Sequence, residues 1–149
     1  MDIQFVIIIQ MLLAGILGGL IGFERRAEHK EAGIRTHALV TIGSALFTGI
    51  SLHALNSYAG FDNVDISRIM AQIVVGIGFL GAGIIIFTGE RVHGLTTAAG
   101  IWVSSAIGMA VGVQWYWVAV IGTVIVVFLL WFVRRVFPAP KSYTYDDDD

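Results

Sequence analysis

The sequence predicts an all-α integral membrane protein, a bundle of five transmembrane helices with its N-terminus outside and its C-terminus inside. Of the 149 residues, 56% are hydrophobic and only 13% are charged, and the charged share is about half that of a soluble domain. The chain also contains five apolar runs of about 20 residues, the length that crosses a bilayer. It has no cysteine and a net charge of −2. These features exclude disulfides, thiolate chemistry and a basic surface for nucleic acid.

Each apolar run is predicted as one span. We expect the first to be mature chain, because it lacks the basic start and the cleavage site of a signal peptide. We predict a transmembrane domain over residues 1–135 and a short cytoplasmic tail over 136–149, with no function assigned to the four terminal aspartates. The predicted spans are residues 3–23, 36–55, 68–87, 95–113 and 116–133.

The basic residues orient these spans. With five spans, eight of the nine Lys and Arg residues fall on one side, and only Arg68 falls near the other. Short cytoplasmic loops collect basic residues, so the side with eight is predicted to be the cytoplasm. Trp115, Tyr116 and Trp117 separate the fourth span from the fifth. Aromatic residues are enriched at membrane interfaces, which fits an outer loop here.

Small residues mark the faces on which the helices are expected to pack. In lipid, helices associate through close backbone approach and polar contacts. Four of the five spans carry a seam of small residues, and the fifth, with one glycine, is predicted to be the most exposed to lipid. The predicted packing positions are Gly15, Gly18, Gly22, Gly76, Gly81, Gly83, Gly100, Ser104 and Gly108.

Polar residues recur along the second and third spans. On the second span their spacings are four, three, four and three, which places them on one helix face. They are His37, Thr41, Ser44, Thr48 and Ser51. On the third span Arg68 and Gln72 lie one turn apart. Two interpretations stay open: helix packing, which we favour for the second-span stripe, and a hydrated ion path, which we favour for Arg68 with Gln72.

The loop after the first span carries charges of both signs. Glu24 stands at the membrane edge and Arg35 opens the second span. We predict that Glu24, Arg25 and Arg35 form a charged cluster at the cytoplasmic edge, which extends towards Arg91 or His93. The alternative is loose surface pairing worth under about 1 kcal/mol.

Four segments form motifs longer than a single pair of spaced glycines. They are Gly18-xxx-Gly22-Phe23-Glu24-Arg25, Ala32-Gly33-Ile34-Arg35-Thr36-His37, Arg68-Ile69-Met70-Ala71-Gln72 continuing to Gly83, and Gly94-Leu95-Thr96-Thr97-Ala98-Ala99. In this order they resemble signature segments of the MgtC/SapB family of bacterial membrane proteins, over roughly residues 10–113.

The resemblance implies an inner-membrane protein tied to adaptation to low magnesium, acid or intracellular stress, and to virulence in pathogens. It implies action on other membrane proteins, such as the ATP synthase, rather than magnesium transport. Longer family members add a C-terminal ACT-like domain, which we do not expect here, and some differ at the positions of Thr88, Thr96 and Val103. The candidate functional residues are Glu24, Arg25, Arg35, Thr36, His37, Arg68 and Gln72.

No phosphate loop, nucleophile motif or paired-histidine metal motif occurs in the sequence. We therefore expect no enzymatic activity and no cofactor, and the sequence identifies no metal ion. The predicted function is a regulator whose partners are the lipid bilayer, other membrane proteins and, as a hypothesis, a second copy of itself. The alternative is a small transporter or channel for protons or divalent cations such as Mg²⁺, with Arg68, Gln72 and the second-span stripe along its path.

Overall fold

Five helices long and apolar enough to cross a membrane make up most of the structure, a computed structural model that describes residues 3–28, 30–57, 65–88 and 91–136. The predicted fold class is confirmed, whereas the side of the membrane on which each terminus lies stays a prediction. The helices are α1 (Ile3–Ala27), α2 (Ile34–Ser57), α3 (Ile66–Ile84), α4 (Leu95–Gly112) and α5 (Tyr116–Val136).

Helix α2 is the centre of the bundle and packs extensively against both α1 and α4. Glycines permit these contacts because their missing side chains leave room for the α2 backbone. A Cβ atom on Gly18 of α1 would lie 2.6 Å from the His37 carbonyl oxygen. One on Gly108 of α4 would lie 2.9 Å from the Ser44 Cβ. Apolar side chains of α1, α2, α4 and α5 complete this core, including Leu17.

Helix α3 differs from the sequence prediction, because its glycine seam lacks a neighbour over most of its length. Gly81 does approach Ala98 of α4, with 3.6 Å between a Cβ built on the glycine and the alanine Cβ. Gly76 and Gly83 have nothing within 4 Å of such an atom in the described part of the chain. The reason is that α3 packs against α4, whereas α3 and α2 lie apart over much of their length. Among the described residues no helix packs against Gly76 or Gly83, so a packing role for these two glycines stays a prediction.

Helices α3 and α5 are equally peripheral. Within each, 11% of the span is buried, against 56% for α4. Helix α5 meets the bundle through Ala119 and Thr123. The prediction singled out the fifth span as the one most exposed to lipid, and the third shares that exposure.

A short antiparallel hairpin joins α3 to α4. Its strands are β1 (Ile86–Thr88) and β2 (Arg91–His93), with Ile86 opposite His93. The third span, predicted to continue to residue 87, ends as a helix at Ile84, because β-branched and aromatic residues follow and favour a strand. Gly94, at φ 84°, then leads into α4. A side chain there would overlap the Ile84 carbonyl group, so this connection requires glycine.

Candidate functional site

The polar stripe of α2 lies inside the bundle. His37, Thr41 and Thr48 are fully buried and Ser44 is nearly so. Only Ser51, at the far end, is partly exposed, and its hydroxyl bonds to the Phe47 carbonyl oxygen one turn earlier. The stripe therefore faces α1 and α4, not lipid.

His37 is the most constrained member of the stripe. Its Nδ1 atom lies 2.8 Å from the Ser104 hydroxyl oxygen, and that hydroxyl donates its one hydrogen to the Gly100 carbonyl oxygen at 2.9 Å. Since Ser104 has no second hydrogen to give, His37 Nδ1 is the donor. The neutral imidazole then has its lone pair on Nε2, which is buried and has no hydrogen-bond partner among the described residues.

Further hydrogen bonds join the three central helices along their length. The Ser44 and Ser105 hydroxyl groups lie 2.8 Å apart and link α2 to α4. Gln10 of α1 is 1% exposed, and its amide donates to the carbonyl oxygens of Val111 and Gly112 at 3.2 and 3.3 Å. Sequence reasoning assigned no role to Gln10, which is one of two glutamines in the otherwise apolar first span.

Glu24 and Arg25 form an ion pair near the C-terminal end of α1. We call the end of the bundle at which α1 leads into α2 the basic edge. Arg25 Nε donates to Glu24 Oε2 at 2.5 Å, and the side chains are only 5% and 12% exposed. Arg25 is buried because it follows Gly18 and Gly22 on the α1 face that meets α2. The other carboxylate oxygen of Glu24 has no hydrogen-bond partner among the described residues.

Arg35 does not join this pair, contrary to the predicted cluster. It is exposed on α2, because a helix turns by about 200° over the two residues that separate it from the buried His37. No described carboxylate lies within ion-pair distance of Arg35. Thr36 and His93 are also exposed, and the Arg91 side chain lies outside the described residues.

Two acidic residues beyond α1 tie the loop of the basic edge to the later helices. Glu31 accepts a hydrogen bond from the Thr97 hydroxyl at 3.2 Å, at the start of α4. Glu28 forms an ion pair with Arg134 near the end of α5. Such contacts join residues far apart in the chain, and no local sequence pattern signals them.

Arg68 and Gln72 lie apart from most of the buried stripe, but Gln72 lines the same groove as Ser44 of the stripe. Both are exposed on α3, and Gln72 lines an apolar groove between α2 and α3. The described residues contain no group of three His, Asp or Glu side chains arranged to hold a metal ion. The path proposed from Arg68, Gln72 and the α2 stripe stays a prediction.

These features define a class: a multi-pass membrane protein with a polar, hydrogen-bonded interior and two lightly packed outer helices. The chain belongs to the MgtC family, whose family model matches residues 11–137. It is accordingly a multi-pass protein of the bacterial inner membrane.

Several curated relatives are similar to the chain. It is 46% identical over 125 residues to an Escherichia coli K12 protein named "Putative magnesium transporter YhiD", covering 83% of this chain and 58% of the relative. It is 47% identical over 117 residues to Protein MgtC of Brucella abortus, covering 77% of this chain and 47% of the relative. Identity to Protein MgtC of Salmonella typhimurium is 43% over 124 residues, covering 83% and 51%. The chain thus spans about half the length of these relatives. No solved structure gives a significant match.

Proposed function

We propose that this protein is a non-enzymatic regulator that acts by lateral contact with other proteins of the inner membrane, such as the ATP synthase. Its role would be in adaptation to low magnesium, acid or intracellular stress, and in virulence in pathogens. The observation that supports this function is the closed polar interior. The buried stripe of α2 makes hydrogen bonds to α4 and to its own helix, as expected of helix packing rather than of a water-filled path.

The packing of α2 explains why an ion path is disfavoured. A Cβ built on Gly112 would lie 2.6 Å from the Thr48 Cβ, and one on Gly22 would lie 2.5 Å from the Ile34 Cα. Helices in such close contact leave no room for water between them. Conduction through the stripe would require α2 to separate from α1 and α4 along most of its length.

The outer face of α3 is the surface that we assign to a partner. Gly78 and Ala82 are exposed one turn apart, beside Phe79, which is 81% exposed. A small-xxx-small pair allows another transmembrane helix to approach closely. Gly100 and Gly108, which also carry small-residue spacing, are already in contact with α2 and are not available to a partner.

The test is capture of membrane proteins from the native host with tagged full-length protein, paired with ion flux in proteoliposomes. We expect Gly78→Leu to reduce capture of the ATP synthase or another membrane complex. Gly76→Leu is the matched control, because it adds the same side chain to the opposite face of α3. Equal capture by wild type and both variants would contradict the assigned surface, and Mg²⁺ or proton flux with the pure protein would contradict the regulator.

A transporter of protons or Mg²⁺ is the second candidate. It is favoured by the name of the Escherichia coli relative and by two buried acceptors, His37 Nε2 and Gln10 Oε1, which have no hydrogen-bond partner among the described residues. For this candidate, flux should appear in proteoliposomes and should be abolished by Arg68→Ala. Flux that is insensitive to this substitution would exclude a path past Arg68.

A further inference from the structure

An apolar groove of about 630 Å³ runs between α2 and α3. This volume lies within the range of pockets that bind small molecules. Its walls carry aliphatic and aromatic side chains, with Ser44 and Gln72 as the polar lining residues. Gly43 on α2 and Gly76 on α3 both line it, and no atom of the described residues lies within 4 Å of a Cβ built on either glycine. The groove is therefore an open gap between two helices of the same chain.

The length of the groove matches one leaflet of the bilayer. Its lining residues on α3 run from Ile69 to Leu80, which is about 16 Å at about 1.5 Å per residue. The hydrocarbon core is about 30 Å thick, so one leaflet is about 15 Å deep. An acyl chain from the leaflet at the start of α3 would fill the groove from end to end.

Arg68 directly precedes Ile69, the first residue of α3 that lines the groove. It lies one turn before Gln72 on the same face of α3, and helix side chains tilt towards the N-terminus, which here is the membrane surface. Arg68 is exposed, and no described carboxylate lies within ion-pair distance of it. The neighbouring Asp65 carboxylate accepts a hydrogen bond from the Ser67 N–H at 2.8 Å and caps the helix.

We propose that this groove binds one acyl chain of a phospholipid whose phosphate group is held by Arg68. A guanidinium group pairs with phosphate oxygens through parallel N–H donors, and Arg68 is the one basic residue at this end of the five spans. A binding site for a phospholipid requires two features together. These are apolar walls as long as one leaflet, for the acyl chain, and a cation at the level of the headgroup, for the phosphate. The inference goes beyond the proposed regulator and does not depend on it.

The experiment uses the full chain in nanodiscs of phosphatidylcholine with phosphatidylglycerol that carries a photoactivatable group near the end of one acyl chain. Cross-linked peptides are mapped by mass spectrometry, and retained lipid is counted by native mass spectrometry after detergent extraction. In wild type we expect one retained phosphatidylglycerol and cross-links to the groove walls at the end remote from Arg68, near Leu39 and Leu80.

Substitutions that fill the groove should displace the lipid without disturbing the fold, because their Cβ positions are open. Gly76→Leu and Gly43→Leu should each reduce retention by about tenfold or more. Gly78→Leu is the matched control: its position is equally open, but it lies off the groove, so retention should remain that of wild type. All three variants should keep the wild-type elution profile in gel filtration.

The headgroup contact is tested with Arg68→Gln. Retention of phosphatidylglycerol should fall about tenfold, whereas retention of a diacylglycerol with the same chains and no phosphate should be equal in wild type and variant. Equal retention by wild type and both groove-filling variants would overturn the proposal. Cross-links between two copies of the chain through the groove, or a co-purified protein cross-linked there, would overturn it as well.

The partner and lipid proposals fail separately. Loss of capture in Gly78→Leu with lipid retained concerns only the regulator, and loss of lipid in Gly76→Leu with capture retained concerns only the groove.

Discussion

His37 on α2 and Ser104 on α4 are joined inside the bundle by a 2.8 Å contact between the imidazole Nδ1 and the hydroxyl oxygen. Ser104 in turn donates to the Gly100 carbonyl oxygen, one turn earlier on α4. A Cβ on Gly100 would lie 3.3 Å from the His37 Cε1, so the imidazole ring rests directly on the α4 backbone. This contact fixes the register between α2 and α4.

Ser104→Ala should destabilise the bundle. The variant leaves the His37 Nδ1 donor without its acceptor, and we expect the free energy of unfolding to fall by about 1 kcal/mol, the size of a polar contact between membrane helices. Steric trapping in bilayer-like detergent mixtures measures this change. Ser51→Ala is the control, because its hydroxyl bonds within α2 and is partly exposed; equal losses in both variants would contradict the assigned contact.

Gly108→Ala should force α4 away from α2. The added methyl group would overlap the Thr41 carbonyl oxygen and lie 2.9 Å from the Ser44 Cβ, and such overpacking lowers stability by about 1–3 kcal/mol. The measurement is the midpoint of thermal unfolding, read by far-ultraviolet circular dichroism. Gly43→Ala adds the same methyl group to an open position and should leave the midpoint unchanged or raise it. A lower midpoint in Gly43→Ala alone would refute the packing described here.

Arg25→Ala should be more damaging than Arg26→Ala. The first variant leaves the Glu24 carboxylate largely buried without its cation, at an expected loss of about 3 kcal/mol in the free energy of unfolding. Arg26 is exposed, so its truncation should change stability by less than about 1 kcal/mol. Unfolding of the two variants by steric trapping compares them directly. A double variant, Glu24→Gln with Arg25→Met, should recover part of the loss, because it removes both charges.

Asp65 should make the start of α3 sensitive to acid. Its hydrogen bonds from Ser67, and to a smaller extent the charge of Arg68, hold its pKa below the ordinary value of 3.8. A lowered carboxyl pKa stabilises the cap above the unfolded pKa, and this stabilisation is lost as pH falls through the folded value. Hydrogen exchange of the first α3 amides, corrected for intrinsic rates, should accelerate below about pH 4. Asp65→Asn keeps a capping oxygen and should remove the pH dependence.

The periodicity of the sequence predicted the features that depend only on residues close together in the chain. The spacing of His37, Thr41, Ser44 and Thr48 places them on one face, and the structure buries that face. The length and apolarity of the spans predicted five membrane helices, and these are present. The end of α3 was misplaced by about one turn because Ile86 and Phe87 are as apolar as the span before them. Hydropathy alone does not separate a strand from the end of a helix.

The contacts between distant parts of the chain could not be predicted from the sequence. A glycine seam shows which face of a helix can be approached, and not whether a neighbour is there: Gly108 meets α2, whereas Gly76 faces open space. The Glu31 bond to Thr97 connects residues 66 positions apart, and the exposure of Arg35 follows from which face of α2 turns inward. Each depends on how the helices are arranged, which no local sequence pattern encodes.

The hairpin between α3 and α4 bears on how the protein enters the membrane during synthesis. Ten residues, 85–94, separate these helices, and Gly94 turns the chain directly from β2 into α4. The spans of these two helices have mean hydropathies of 1.6 and 1.4, against 2.4 and 2.5 for α1 and α5 and 1.3 for α2. Because so short a connection keeps the two segments side by side, we expect the translocon to release α3 and α4 into lipid together rather than one at a time.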